Sequence, residues 1–266
     1  EIAAAIGGRP LLVPSNDETA LFVAAHADAL RPAFRFQDNP HELVERLYNK
    51  RTMYECARAL DIPTAETRFP RCRDDVVAFA AAARFSVMLK GSDGIALASR
   101  SGAMMVIVRD AEELVAEYDR LEDADAPDLM LQEYIPGGED AQWMFNGYFD
   151  AESRCRFVLT GRKLRQTPPY TGMTCLGVCA RNDEVAALTL RLAEGVGYRG
   201  ILDIGFRYDA RDGRYKVLDV NPRLGSTFRL FVDGDGMDVM RAQYLEVTGQ
   251  PVPPARPVDE RRWLVE

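Results

Sequence analysis

Histidine is almost missing: two in 266 residues, His26 and His41, both near the start. A Ser–His–Asp or Cys–His nucleophile is therefore improbable. Cysteine is sparse and irregular, at positions 56, 72, 155, 175 and 179. No two close Cys/His pairs exist to hold a structural zinc. Cys175 and Cys179 lie in the apolar run "MTCLGVCAR" and read as core thiols. An odd number in a chain this long argues against a disulfide framework, so a reducing, cytoplasmic setting is expected. Positive charge is also short: 33 Lys+Arg against 41 Asp+Glu, net −8. That excludes general binding to nucleic acid or an anionic membrane but leaves room for a local basic pocket. No apolar run approaches the ~20 residues of a membrane span, and no signal peptide, repeat or low-complexity stretch is visible. The opening "EIAAAIGGRPLLVPS" lacks Met and begins inside a helical pattern, which reads as a truncated start.

What is present suits a globular α/β chain. Hydrophobic residues make up 47% and charged residues 28%, enough for a core in one large domain or two modest ones. "RPLLVPS" and "AFRFQ" read as short strands alternating with helices "NDETALFVAAHADAL" and "DNPHELVERLYNK". A helix "KRTMYECARAL" follows. Then come a helix "RDDVVAFAAAA", a strand "FSVMLKG", a pair of strands around "ALASRSGAMMVIV", a helix "AEELVAEYDRL" and a strand "LMLQEYI". After "PGGED" three strands succeed one another: "AQWMFNGYFD", "CRFVLTGRKLRQ" and "MTCLGVCAR". A helix "NDEVAALTLRLAEGVG" ends at glycine. The strands "GILDIGFRYD" and "RYKVLDVN", a helix "GMDVMRAQYLEVTG" and a proline-rich tail complete the chain.

The last strand poses the functional question. "KVLDVNPR" places Asp219, Asn221 and Arg223 at alternate positions, which share a face of a strand. With a three-residue loop Arg211–Gly213, Ala210 pairs with Arg214, Gly205 faces Asp219 and Asp203 faces Asn221. Two carboxylates and an amide then converge as a hard-oxygen set suited to Mg²⁺. A two- or four-residue loop would send Asp203 to the other face, and an exposed polar face is the ordinary alternative. Elsewhere, Lys50 opens a helix, where a cation opposes the dipole and favours a nearby anion. Lys90 ends an apolar strand. "GRKLRQTPPYTGMT" crowds Arg162, Lys163 and Arg165 into an acidic chain, a knot suited to a phosphate or carboxylate. Alternation puts Arg162 opposite the other two, so Lys163 and Arg165 are preferred. Arg229 is a further candidate for a substrate carboxylate.

In order along the chain, "YNKRTMYECARALDIPTAET", "MLKG", "LMLQEYIPGGED" and "LDVNPR" resemble the ATP-grasp ligases, in particular carboxylate–amine ligases such as D-aspartate ligase. The resemblance covers about residues 49–250. It implies an α/β ATP-grasp fold of two lobes gripping ATP, at 50–250, with a small lobe near 64–131 and a large lobe near 132–250. Residues 1–49 resemble the second half of a Rossmann-like pre-ATP-grasp domain, and 251–266 form a tail. It further implies ATP with Mg²⁺ (or Mn²⁺) and an ADP-forming ligation of a small carboxylate to an amine, an amino acid or peptide, through an acyl phosphate. The alternatives are phosphoryl transfer or carboxylation without an amide, or a non-catalytic nucleotide module.

The same resemblance assigns phosphate contacts to Lys50 and Lys90, adenine contacts to Gln132, Glu133 and Ile135, and the ribose acceptor to Glu139. It gives metal ligation to Asp219 and Asn221 and charge stabilisation to Arg223. Family members often dimerise, so a homodimer is allowed. One departure stands out: Gly205 occupies the usual place of the first acid, and Asp203 is the substitute. The backbone of "GSDGIALASRSG" is a candidate phosphate cover.

Overall fold

The computed structural model describes residues 2–92, 97–99, 102, 105–123, 127–138, 141–169 and 172–265. They divide into two compact units, Thr64–Pro136 and the remainder, Glu1–Pro63 with Gly137–Glu266.

The smaller unit is an antiparallel sheet of β1 (Thr67–Arg68), β2 (Val87–Gly91), β3 (Met105–Val108) and β4 (Leu129–Glu133), in the order β1-β4-β2-β3. Burial alternates along β2, so Val87 and Leu89 enter the core while Lys90 faces the other way. Helices Arg73–Ala82 and Ala111–Leu121 cover the apolar side through Val76, Ala80, Leu114, Tyr118 and Leu121. Asp110 starts the second helix by accepting from the Glu113 amide at 2.8 Å. Two strands were expected around "ALASRSGAMMVIV". Among the described residues β3 is the one that forms, and residues 97–99 are helical with Leu97 fully buried. Most of the candidate phosphate cover, at 93–96, 100–101 and 103–104, lies outside the described residues.

The larger unit carries β5 (Gln142–Phe149), β6 (Cys155–Thr167), β7 (Met173–Cys179), β8 (Gly200–Asp209), β9 (Arg214–Asn221) and β10 (Arg262–Leu264). Their order is β10-β7-β6-β5-β8-β9, antiparallel throughout. Met144, Tyr148, Phe157 and Leu159 form a core with Leu230, Phe231 and, from helix Val239–Val247, Val239 and Ala242. Phe145 and Phe149 alternate with them and are buried on the opposite face. Helix Asp183–Val196 opens on the Asn182 cap and stops at left-handed Gly197, φ 70°, the ending that glycine permits. The tail joins the sheet, since β10 pairs with β7.

The N-terminal segment departs from expectation. "RPLLVPS" and "AFRFQ" meet in one parallel bridge, Leu11 to Arg35, instead of forming strands. Two hydrogen bonds flank it, Leu12 N–H to Arg35 O and Arg35 N–H to Pro10 O. With no further strand beside them among the described residues, no Rossmann-like sheet develops there. The cysteines are free thiols. No described helix is long and apolar enough to cross a membrane.

Candidate active site

The β8–β9 hairpin reaches the expected pairing by an unexpected route. Asp209 pairs with Arg214, so the loop is the four residues Ala210–Gly213 rather than three. Gly213 takes φ 71°, and its N–H donates to Asp209 O at 2.8 Å. Left alone, this register would put Asp219 on the face opposite Asp203. The ladder instead shifts between Gly205 and Phe206, leaving Leu218 as the extra residue of a β-bulge. The bulge is braced by the Tyr54 hydroxyl, which donates to Leu218 O at 3.0 Å, and by the Val217 N–H, which donates to Pro63 O. Beyond it Gly205 faces Asp219 and Asp203 faces Asn221.

Asp203, Asp219 and Asn221 therefore share one face of the sheet with Asn146, the partner of Asp203 on β5. Asn221 Nδ2 donates to Asp219 Oδ2 at 2.9 Å and to Asp203 Oδ1 at 3.3 Å. Thr227 Oγ1 and Asn146 Nδ2 each lie 3.4 Å from Asp203 Oδ2. Gly225 closes over the same carboxylate: a Cβ there would sit 2.2 Å from Asp203 Oδ2, so no larger residue fits without moving the acid. Asn146 is fully buried, and its Oδ1 has no hydrogen-bond partner.

Three cations surround these acids. Lys50, first residue of helix Lys50–Ala59, pairs with Asp219, so the anion expected near that helix start is at least in part this carboxylate. Lys163 on β6 interacts electrostatically with both Asp203 and Asp219. Arg223 is bidentate on Asp17 and donates to Asn221 Oδ1.

The groups respond differently. Burial pushes the Asp203 carboxyl up, and the Asp219 charge adds to this while Lys163 opposes it. Burial likewise pushes the Lys163 ammonium down, against the pull of the two acids. Desolvation works against ionised Asp219 too, but Lys50 and Asn221 outweigh it and hold the group at about 2. The Asp219 side chain keeps 42% of its surface accessible, so solvent weakens both influences there.

The basic knot does not act as one cluster. Arg162 pairs with Trp143 across the strands, and its guanidinium lies 5.7 Å from the indole centroid, on the face away from the acids. The β6–β7 ladder shifts register on both sides of Arg165. That irregularity breaks the alternation that would have aligned Arg165 with Lys163, and the Arg165 side chain is exposed. Arg229 is exposed and lies over Phe228.

In the smaller unit, Lys90 Nζ donates to Gln132 Oε1 at 2.7 Å, and Gln132 Nε2 donates to Thr67 Oγ1 at 3.0 Å. Glu133 Oε1 accepts from the Glu66 amide, and Ile135 is buried. Glu139 lies outside the described residues.

Sequence reasoning missed Asn146, Thr227 and Asp17. A lone Asn inside the apolar run "WMFNGYF" was a usable signal. Asp17 looked like an ordinary acid in a helix's first turn, and nothing local marks Thr227.

As a donor set, the site offers two carboxylates and buried amide oxygen. Among the described residues no three His, Cys, Asp or Glu side chains gather to cage a metal. Two carboxylates nonetheless match Mg²⁺, which takes one or two and completes its shell with water and phosphate oxygens. The unpartnered Asn146 Oδ1 beside Asp203 is a further polar atom of the right kind. Asn221 fits less directly: its NH₂ faces the acids, and its Oδ1 reaches them only if the amide turns.

No family model matches the chain. It is 25% identical over 246 residues to a D-aspartate ligase of Enterococcus faecium, covering 87% of this chain. The chain spans 57% of that relative's length. Among solved structures, a biotin carboxylase of Campylobacter jejuni superposes with a TM-score of 0.74 at 15% identity, covering 94% of this chain and 57% of the other. An L-amino acid ligase of Bacillus licheniformis gives 0.64 at 14%, covering 92% and 55%. The six-stranded antiparallel sheet, the four-stranded unit inserted at Thr64–Pro136 and these likenesses agree: this chain has the ATP-grasp fold.

Proposed function

We propose that this chain carries the catalytic part of an ATP- and Mg²⁺-dependent carboxylate–amine ligase. The observation that carries the reading is the convergence of two carboxylates and three cations on one sheet face, Asp203 and Asp219 with Lys50, Lys163 and Arg223. The likeness to a D-aspartate ligase supports it on the sequence side. Asp203 and Asp219 would hold Mg²⁺, with Asn221 joining them on turning its amide. The ion would neutralise charge on the transferring phosphoryl oxygens. Lys90, Gln132, Glu133 and Ile135 are the proposed nucleotide contacts of the smaller unit, and Glu139 the ribose acceptor.

The chemistry asked of the side chains is positioning and charge. A substrate carboxylate oxygen attacks the γ-phosphorus of ATP in line, ADP leaves, and an acyl phosphate forms. The amine nitrogen then attacks the acyl carbon, phosphate departs and the nitrogen loses a proton. Lys50 and Lys163 offset phosphoryl charge. Arg223 stabilises the oxyanion of the second step, where a fixed donor is worth most. Arg165, exposed on the same strand as Lys163, is the proposed outer contact for the incoming anion. D-aspartate and a peptide amine are the first substrates to try. The carboxylase-type alternative rests on likeness of fold alone.

The test is ADP release from Mg-ATP with a panel of amino acids, using hydroxylamine to trap the acyl phosphate as hydroxamate. ADP and hydroxamate formation, abolished by Asp219→Ala, support the reading. AMP formation, or turnover indifferent to Asp219→Ala, overturns it.

A further inference from the structure

Asp17 is the first residue of helix Asp17–Ala25, where an acid ordinarily serves the helix dipole and points to water. Here it does something else. The side chain is 29% exposed and turns to Arg223, 206 residues away. Arg223 Nε donates to Asp17 Oδ1 at 2.7 Å and Nη2 to Asp17 Oδ2 at 3.1 Å, a fork-on-fork pair. Nη2 also donates to Asn221 Oδ1 at 3.1 Å, and Nη1 to Leu224 O at 3.2 Å. The Leu224 N–H donates to Pro14 O at 3.2 Å, tying the two backbones beside the pair.

A guanidinium has five N–H donors. These four bonds leave one, on Nη1, without a partner among the described residues. An arginine so held cannot swing as a free cation can. It presents a single donor in a fixed direction. It also holds Asn221 Oδ1, which turns the Asn221 NH₂ toward Asp219 and Asp203.

We infer that Asp17 is a positioning residue for the reaction: it locks the Arg223 fork so that one Nη1 donor is aimed at developing charge. The inference rests on the ligase reading for the identity of that charge. The anchoring itself does not, and the two can fail separately.

Anchoring is read in the protein without ligands. In arginine-¹⁵N-labelled protein, the Arg223 Nε–H resonance is identified by its absence in Arg223→Lys. In the starting protein it exchanges slowly with water. Asp17→Asn is expected to speed that exchange about ten-fold or more, and Asp17→Glu to restore most of the protection. An Arg223 Nε–H that exchanges freely before mutation, or is indifferent to Asp17→Asn, overturns the inference whatever the enzyme catalyses.

Positioning is read in steady-state turnover with acid and amine both present, measured as amide product and as the ADP released with it. Asp17→Asn is expected to lower kcat about ten-fold while KM for ATP stays within about two-fold, the signature of an interaction made in the transition state. Asp17→Glu recovers much of the loss. The double variant Asp17→Asn/Arg223→Lys is no slower than Arg223→Lys alone, because groups acting as a unit are not additive. Full additivity, or an equal loss in Asp17→Glu, overturns the positioning role. Absence of ADP formation in the starting protein fails the ligase reading and overturns the catalytic half of the inference with it. The exchange measurement still decides the anchoring half.

Discussion

The two ends of the β8–β9 hairpin each carry an acid cluster, and they are built to opposite plans. At the loop end, Asp209 is 1% exposed and receives both Arg211 and Lys216, at 2.5 and 2.7 Å. Its acid is held below the usual carboxylate range, chiefly by the Arg211 hydrogen bond. Both its oxygens are taken and two cations share it, Lys216 pairing with Asp212 as well. At the other end, Asp203 and Asp219 meet Lys163 and Lys50, but hydrogen bonds to Asp203 are long, an amide oxygen lies unpartnered beside it and its carboxyl is pushed up rather than down. Buried polar groups are normally satisfied. A fully paired cluster fixes a turn; the cluster left short of partners is the one proposed to bind ligand.

The sharpest break in the comparison is expected from Asp219→Asn. It should lower ADP formation about 10²-fold or more and shift the urea midpoint only modestly, because the partly exposed pair with Lys50 lends little stability. Asp209→Asn should do the reverse, keeping turnover and lowering stability by about 1–3 kcal/mol in urea unfolding, because Arg211 and the buried Lys216 lose the acid they share. The glycines at the two ends divide in the same way. Gly225→Ala drives a Cβ into Asp203, and about ten-fold of the turnover should go with the displaced acid. Gly213→Ala meets nothing closer than 3.9 Å and should cost only about 1 kcal/mol of backbone strain at its positive φ.

Acid titration should separate Asp209 from Asp203, while Asp219, also depressed, shares the sign of Asp209. Asp209, depressed in the fold, lends stability that is complete above its unfolded value near 4 and is lost as pH falls through the folded one. Asp209→Asn should therefore flatten the decline in urea midpoint below about pH 4. Asp203, raised in the fold, has the opposite sign: the folded state holds its proton longer, so stability falls as pH climbs from about 4 through its folded value. Asp203→Asn should remove that fall. The smallest effect is expected from Tyr54→Phe, which deletes one hydroxyl from Leu218 O and should cost about 1 kcal/mol or less.

Alternation made much of this legible. Asp219, Asn221 and Arg223 at every second position announced that polar groups converge there, and the glycine closing "NDEVAALTLRLAEGVG" announced a helix end. The fold class followed from motif order and stands in the structure. What strand arithmetic could not see was the bulge. A four-residue loop and one extra residue cancel, so the pairing was right and its stated route wrong. The bulge depends on Tyr54 and Pro63, more than 150 positions away in sequence, and no local pattern records them. Arg165 shows the converse, a strand irregularity that alternation assumes away. Asp17 was hidden for the same reason as the bulge, since its partner is distant.

The Leu218 bulge also reverses parity. Before it, odd positions Tyr215 and Val217 pair with Tyr208 and Phe206 and lie on the side of Trp143; after it, odd positions Asp219 and Asn221 lie on the side of Asp203. One strand thus behaves as two half-strands that belong to different layers of the protein. Deleting Leu218 alone would merge the halves into a regular ladder with every other pairing intact.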